Sequence, residues 1–270
     1  MPISDAKIGQ SLAEMAEFAR GIAQEAGEKG LEWFRKPVAI DLKEDQSPVT
    51  EADRAVEALL RKRLGAAFPD HAILGEEFGR EGGADAPTWV VDPIDGTRSF
   101  ITGWPIWGTL LALTSGGQAQ LGVLHMPALG ESWVASHGGG CRFFSATGGV
   151  TKAQTSGCQR LSEARFYTTS PDYFDAAEQV AYQAIRDASL VQRFGGDCYS
   201  YGLLASGHID LVVESRLQPY DFMTLAPIIE EAGGVITDWQ GRPLTLASGE
   251  QVIAAATHEL HREALALLQG

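Results

Sequence analysis

The chain has 270 residues, 44% of them apolar and 21% charged, with a formal net charge of −14 at pH 7. That length holds one large domain or two small ones around a real core, and no window approaches the roughly eighteen consecutive apolar residues of a membrane span. An acidic surface without a Lys/Arg cluster excludes nucleic acid as a partner, and it repels phosphate esters unless cations reverse the field locally. Three widely spaced cysteines (Cys141, Cys158, Cys198) suit neither a disulfide framework nor a zinc site. The acidic N-terminus lacks a basic-then-apolar leader and reads as cytoplasmic.

In chain order, residues 5–35 predict a long amphipathic helix, with Ile8, Leu12, Met15, Ala19, Ile22 and Ala26 at helical spacing. A strand-like stretch, 38–43, and a loop through Ser47-Pro48 follow, with Lys43 and Glu44 placed near the edge of any site. Thr50-Glu-Ala-Asp53 has the form of a capping box opening a helix whose apolar face is Val56, Leu59, Leu60 and Leu64. Phe68-Pro69-Asp70 stops that helix, and Ala72–Leu74 predicts a short strand running into Gly75-Glu76-Glu77.

Residues 88–100 carry the most information. Trp89-Val90-Val91 reads as a buried strand ending at Asp92-Pro93. Asp92 and Asp95 then bracket a turn fixed by Pro93 and Gly96. Carboxylates spaced this way converge on one point only if a cation offsets their repulsion. The Ile94 carbonyl adds a third hard oxygen, and the Gly96 and Thr97 amides open a helix that can cradle an anion. Cation ligands beside an anion cradle suggest metal-assisted chemistry on a phosphate.

Strands over 108–113, 120–126 and 131–136 follow, the first two joined at Ser115-Gly116-Gly117, so the first half predicts an antiparallel sheet. The second half alternates strands (165–168, 190–194, 209–213, 235–238, 251–256) with helices (173–188, 199–206, 221–232 and one from 260), as in a mixed sheet. The Gly/Thr/Ser-rich stretch 145–162 marks a boundary between subdomains of roughly 1–150 and 151–270 within one domain. Gly138–Gly140 lacks the Lys-Ser/Thr of a phosphate loop and reads as a turn.

Singly, each acid has a plain role: Glu76 and Glu77 as loop carboxylates, Asp221 as an N-cap, Asp53 as a first-turn acid favoured by the helix dipole. Asp197 reads equally as a cap for the helix from Tyr199. The histidines (His71, His125, His137, His208, His258, His261) are scattered and read as surface or satisfied core residues. No Ser–His or Cys–His pair supplies a protein nucleophile.

Taken together, Ser47-Pro-Val-Thr-Glu-Ala-Asp53, Gly75-Glu76-Glu77, Asp92-Pro-Ile-Asp-Gly-Thr97 with Ser99-Phe100, and Glu230-Glu-Ala-Gly-Gly234 resemble the signatures of the inositol monophosphatase superfamily over nearly the whole chain. The resemblance implies an α/β (α+β) layered sandwich of the sugar-phosphatase type and a Mg2+-dependent phosphomonoesterase acting by direct attack of a metal-bound water. It places Glu76, Asp92 and the Ile94 carbonyl on one magnesium and Asp92, Asp95 and Asp221 on a second, with a weaker third ion near Glu76. Thr97, bonded to Asp53, would orient the water, and the Gly96 and Thr97 amides would grip phosphate. It also implies a homodimer.

Tyr220-Asp221 departs from the commoner Trp-Asp. Together with Thr168-Thr-Ser-Pro171, Arg193-Phe-Gly-Gly-Asp197 and Phe100-Ile-Thr-Gly103, it is similar to the histidinol-phosphatase branch. That substrate carries an amine and an imidazole, for which Asp197 and Glu214 are the candidate partners, with Arg193 pairing one of these acids or a partner subunit. The competing readings are an inositol monophosphatase or broad sugar phosphatase, more weakly a bisphosphate nucleotidase, and, in another class, a non-catalytic metal-binding regulator.

Overall fold

The computed structural model describes residues 11–42 and 48–270. Helix α1 (Leu12–Leu31) starts where Ser11 and Glu14 exchange capping bonds. The predicted stretch before residue 11, and Lys43 and Glu44, lie outside the described residues. The helix ends short of residue 35, and Arg35 then adopts left-handed backbone (φ 59°). Strand β1 (Ile40–Leu42) pairs antiparallel with β2 (Pro48–Thr50), so part of the expected loop is strand. Pro48 is tolerated as a strand's first residue. Helix α2 (Glu51–Ala67) opens on the expected box, Thr50 capping Ala52 and Asp53 accepting from the Thr50 amide at 2.8 Å.

The first sheet contains β3 (Ala72–Gly75), β4 (Gly79–Glu81), β5 (Thr88–Asp95), β6 (Gly108–Ser115), β7 (Gln118–Met126), β8 (Glu131–Ser136), β9 (Gly140–Phe144) and β10 (Val150–Lys152). Their order is β10-β9-β8-β7-β6-β5-β3-β4, antiparallel except where β3 lies parallel to β5. Helix α3 (Thr97–Ile101) follows β5 directly.

The second sheet is mixed. It holds β11 (Arg165–Thr168), β12 (Val191–Phe194), β13 (Leu211–Glu214), β14 (Val235–Thr237) and β15 (Val252–Ala255), in the order β12-β11-β13-β15-β14. Strand β11 runs parallel to both its neighbours, and β15 antiparallel to both of its own. The helices of this half are α4 (Ala176–Ala188), α5 (Asp197–Ala205), α6 (Pro219–Phe222), α7 (Leu225–Glu231) and α8 (His258–Leu268). One helix was expected over 221–232; instead α6 and α7 are separated at Met223-Thr224. Pro227 explains the break, since it has no amide to offer the Met223 carbonyl and its ring crowds that position.

Alternation along the strands builds the layers. Trp89 and Val91 pack on Met15, Val56, Leu60 and Leu64 of α1 and α2. Val90, Leu110 and Leu124 face the other way, onto Tyr201, Leu204, Ile228 and Ile229 of α5 and α7. The same helices bury Val212, Val252 and Ala254 of the second sheet. Its far face, Phe166, Leu211, Val213 and Ile253, packs on Tyr182, Ile185, Leu260 and Ala264 of α4 and α8. The result is a helix–sheet–helix–sheet–helix sandwich. Its middle helical layer touches both sheets, so residues at the ends of that layer meet residues at the end of β5.

Candidate active site

Strand β5 does not end at Asp92 as its apolar run suggests. It continues to Asp95 through a register shift, Asp92 opposing Leu110 and Asp95 opposing Gly108. Side chains at i and i+3 of a regular strand point to opposite faces, and the extra residue of a bulge returns them to the same side. Thr109 Oγ1 fixes the bulge by donating to the Pro93 carbonyl at 2.9 Å. Asp221 arrives from α6 in the middle layer. Oxygens of Asp92, Asp95 and Asp221 all lie within 4.8 Å of one another.

Each carboxylate is oriented from the backbone. Asp92 accepts from the Ile94 amide at 3.0 Å, Asp95 from the Cys198 amide at 2.7 Å and Asp221 from the Gln218 amide at 2.7 Å. Asp221 is therefore the third residue of its helix rather than the cap. Burial, then the neighbouring Glu76, Asp95 and Asp221, drives Asp92 well above the carboxylate range. Burial and then Asp197 raise Asp95 to about 7, and burial and then Asp95 push Asp221 up strongly. Mutual destabilisation of hard-oxygen donors is what a divalent cation relieves, so the donor set fits an oxygen-seeking ion such as magnesium.

Glu76 belongs to the same cluster, since its charge raises both Asp92 and Asp53. Its loop is held by Glu57, a fully buried acid absent from the sequence reading. Glu57 accepts from the Glu77 and Phe78 amides at 2.7 and 3.2 Å and from Arg61 at 2.8 Å. A Cβ on Gly75 would lie 2.1 Å from Glu57 Oε1, so residue 75 must be glycine.

Gly96 adopts φ 82° at the start of α3, and a Cβ there would lie 3.0 Å from both Asp197 Oδ2 and the Ile106 carbonyl. Only glycine meets both demands. Thr97 does not bond to Asp53. Its hydroxyl donates to the Ile94 carbonyl at 3.2 Å, the nearer acceptor on the same turn. Asp53 spends Oδ2 on the Thr50 amide and hydroxyl, and its buried Oδ1 has no hydrogen-bond partner. Burial raises its pKa, with Glu76 adding to the effect and Thr50 opposing it.

A cavity of about 270 Å³ opens beside these groups and is lined by Glu76, Asp95, Gly96, Thr97, Asp197, Glu214 and Asp221. Asp92 is buried beneath it, and the Ile94 side chain is core. Asp197 opens α5 itself and caps nothing from Tyr199. Its carboxylate accepts from Ser99 Oγ at 2.9 Å, a partner on the other half of the chain. Glu214 ends β13, buried, accepting from the Thr169 amide and hydroxyl and from Tyr201 at 2.8 Å. Burial raises both acids against these donors.

Arg193 does not join them. It lies exposed on β12, the sheet's edge strand, and makes no part of the cavity wall. Cys198 lines the cavity, but burial and then Asp95 hold its thiol protonated, so it is no nucleophile. The histidines read as core residues behave so: His125 bonds Ser132 at 2.8 Å, His261 bonds Thr237 at 2.8 Å, and burial lowers each to about 4. Sequence reasoning also missed Arg98, Tyr173 and Arg216 on the cavity wall. Arg98 stacks over the Tyr173 ring at 5.7 Å, a contact between the two halves that no local pattern encodes.

Three converging carboxylates that could hold a metal ion, set beside a cavity, suit a metal-dependent phosphatase. The sequence profile of the Inositol monophosphatase family matches residues 11–270, and the chain belongs to that family. It is 42% identical to the bifunctional phosphatase IMPL2, chloroplastic, of Arabidopsis thaliana, over 96% of this chain and 76% of that one. It is 38% identical to a histidinol-phosphatase of Chlorobaculum parvum, over 88% of this chain and 91% of that one. A solved inositol monophosphatase from Zymomonas mobilis superposes with a TM-score of 0.86 at 41% identity, over 97% of this chain and 100% of that one. Among the described residues, no helix is long and apolar enough to cross a membrane.

Proposed function

We propose that the chain hydrolyses L-histidinol phosphate to L-histidinol and phosphate. The observation that carries this reading is a pair of further acids on the cavity wall, beside but not within the converging triad of Asp92, Asp95 and Asp221: Asp197, tied to Ser99 over Gly96, and the buried Glu214. A polyol leaving group can offer these carboxylates only neutral hydroxyl donors, whereas an ammonium or imidazolium also pairs with them by charge. The histidinol-phosphatase names of relatives at 38% and 35% identity support the same choice.

Glu76, Asp92, Asp95, Asp221 and the Ile94 carbonyl would hold magnesium, which supplies charge neutralisation at the phosphoryl group and lowers the pKa of the attacking water. The Gly96 and Thr97 amides bind phosphate oxygens at the start of α3. The Thr97 hydroxyl aligns the water, and the buried Asp53, whose Oδ1 is unpartnered and whose pKa is raised, supports it as the acid that the family resemblance pairs with Thr97. Asp197 and Glu214 orient the leaving group. The homodimer expected of the family leaves Arg193, exposed on β12, as a contact for a partner subunit.

The Zymomonas mobilis likeness favours a second reading, inositol monophosphatase. Phosphate release from histidinol phosphate, inositol monophosphate, an adenosine bisphosphate and an aryl phosphate at saturating magnesium separates them. A kcat/KM for histidinol phosphate at or below that for inositol monophosphate refutes the proposal, and stoichiometric metal binding with no turnover on any ester makes the chain a regulator.

A further inference from the structure

Among the described residues, three other than glycine adopt left-handed backbone: Arg35 (φ 59°), Asp197 (φ 43°) and Arg216 (φ 65°). Such backbone is disfavoured for a residue with a Cβ and persists where the surroundings or the function demand it. Two have a side-chain partner that accounts for them. Arg35 donates to the Gly103 carbonyl at 2.9 Å, and Asp197 accepts from Ser99. Arg216 forms no hydrogen bond or ion pair with any described residue. Its side chain is exposed at the mouth of the cavity.

The chain has no freedom to relax there. Glu214 is held by Thr169 and Tyr201, the Ser215 hydroxyl donates to Glu178 at 2.8 Å, and the Leu217 amide donates to the Glu250 carbonyl at 3.0 Å. Glycine is the residue this reversal asks for, and an arginine stands in its place. Of the charged residues on the wall of the cavity it borders, all but Arg216 and Arg98 are acids, on a chain of net charge −14. A phosphate dianion approaching that surface is repelled until it reaches the metal-ligand cluster. The other cation of the wall, Arg98, is already stacked over Tyr173.

We propose that Arg216 is a phosphate-steering residue: an unpaired guanidinium, held at the mouth by strained backbone, that captures the phosphate dianion of any monoester on its way to the Gly96–Thr97 cradle. The inference rests on this cavity being the phosphomonoesterase site and not on which alcohol leaves. A free guanidinium attracts a dianion over about a Debye length, roughly 10 Å at 0.1 M salt, so the effect fades as salt rises.

The test compares wild type, Arg216→Gly and Arg216→Lys in the full chain at saturating magnesium, on histidinol phosphate and an aryl phosphate whose leaving group carries no cation, with inorganic phosphate as competitive inhibitor. Arg216→Gly should lose about threefold to tenfold in kcat/KM on both substrates at low ionic strength, mostly through KM. The deficit should shrink as salt is added, inhibition by phosphate should weaken in parallel, and Tm should rise by about 2 °C as the backbone relaxes. Arg216→Lys should retain most of the wild-type kcat/KM. An undiminished kcat/KM in Arg216→Gly, a deficit indifferent to salt, or Arg216→Lys as impaired as Arg216→Gly overturns the inference. The aryl phosphate keeps the two proposals separate: wild type can fail on histidinol phosphate while Arg216 still steers the aryl ester.

Discussion

Ser99 donates to Asp197 at 2.9 Å across the two halves of the chain, from α3, which starts after Gly96, to α5, which Asp197 opens. One hydroxyl thus sets the distance between the phosphate end of the cavity and the acid read as its leaving-group partner. Under the proposed function, substrate choice and phosphate chemistry meet at this contact, and different variants separate them.

Asp95→Asn keeps the acceptor for the Cys198 amide while removing the charge assigned to a metal ion. Turnover should fall about a hundredfold or more, since metal charge stabilisation supplies several kcal/mol. The thermal unfolding of the metal-free variant should match or exceed that of wild type, because one repelling carboxylate is gone. Magnesium should restore activity only in part. A well-folded variant within a few-fold of wild type sinks the assignment.

Asp53 has two separable roles. Asp53→Asn retains an acceptor for the Thr50 amide and so keeps the α2 cap, whereas Asp53→Ala loses it and should cost about 1 kcal/mol of stability. Both should lose turnover by about a hundredfold or more if the carboxylate takes the proton of the attacking water. Thr97→Val should show a similar activity loss with phosphate still binding. Activity that tracks stability across this series would make Asp53 a helix cap and nothing more.

Asp197→Asn and Glu214→Gln test recognition. Each should reduce kcat/KM for histidinol phosphate by about 1.5–3 kcal/mol, the worth of a charge-assisted contact. An aryl phosphate, whose leaving group carries no cation, should suffer much less. Ser99→Ala, which frees Asp197, should share the selectivity in weaker form. Equal losses on both substrates would make these acids structural.

The acid cluster sets the pH response of the metal-free protein. Asp95 rises from an ordinary 3.8 to about 7, and Asp92 and Asp221 are likewise raised well above the ordinary carboxylate value, so the native state binds more protons than the unfolded chain in this range. Stability then falls as pH increases. His125 and His261, lowered to about 4, pull the other way below about pH 6.5, where unfolding lets them charge. Above that point only the carboxylate slope remains. Tm without divalent cation should drop from about pH 6.5 through the Asp95 pKa of about 7, and saturating magnesium should flatten the slope. A metal-free Tm that rises over this interval contradicts the clustering.

Much of this was legible in the sequence because it is local. The Thr50–Asp53 box, the stop at Phe68-Pro69, the hairpin at Ser115–Gly117 and the alternation around Trp89 need only near neighbours. The acids of the metal cluster were nameable because they sit at element ends with turn residues beside them. What escaped depends on distant partners. The short strands β2, β4, β9 and β10 have too few residues to show a period and exist through their pairing. The bulge between Asp92 and Asp95 is fixed by β6; the break before α7, by contrast, is local and was readable from Pro227. Glu57 looks like any helix-surface acid until Arg61 and the Glu77 amide are found upon it. Arg193 looked like a binding residue by its motif, and the edge position of β12 turned it outward.

Asp92 and Asp95 belong to the first sheet, while Asp221 belongs to the helical layer between the sheets. Without a cation, their repulsion acts as a wedge at one end of the seam joining those layers, and with one they become a rivet. Amide exchange should register the difference away from the ligands themselves. The Cys198 and Gln218 amides, which donate to Asp95 and Asp221, sit at the starts of the two segments that the wedge lifts. Their exchange rates should therefore report loading of the centre, and slow exchange there would mark a sandwich closed along its whole length.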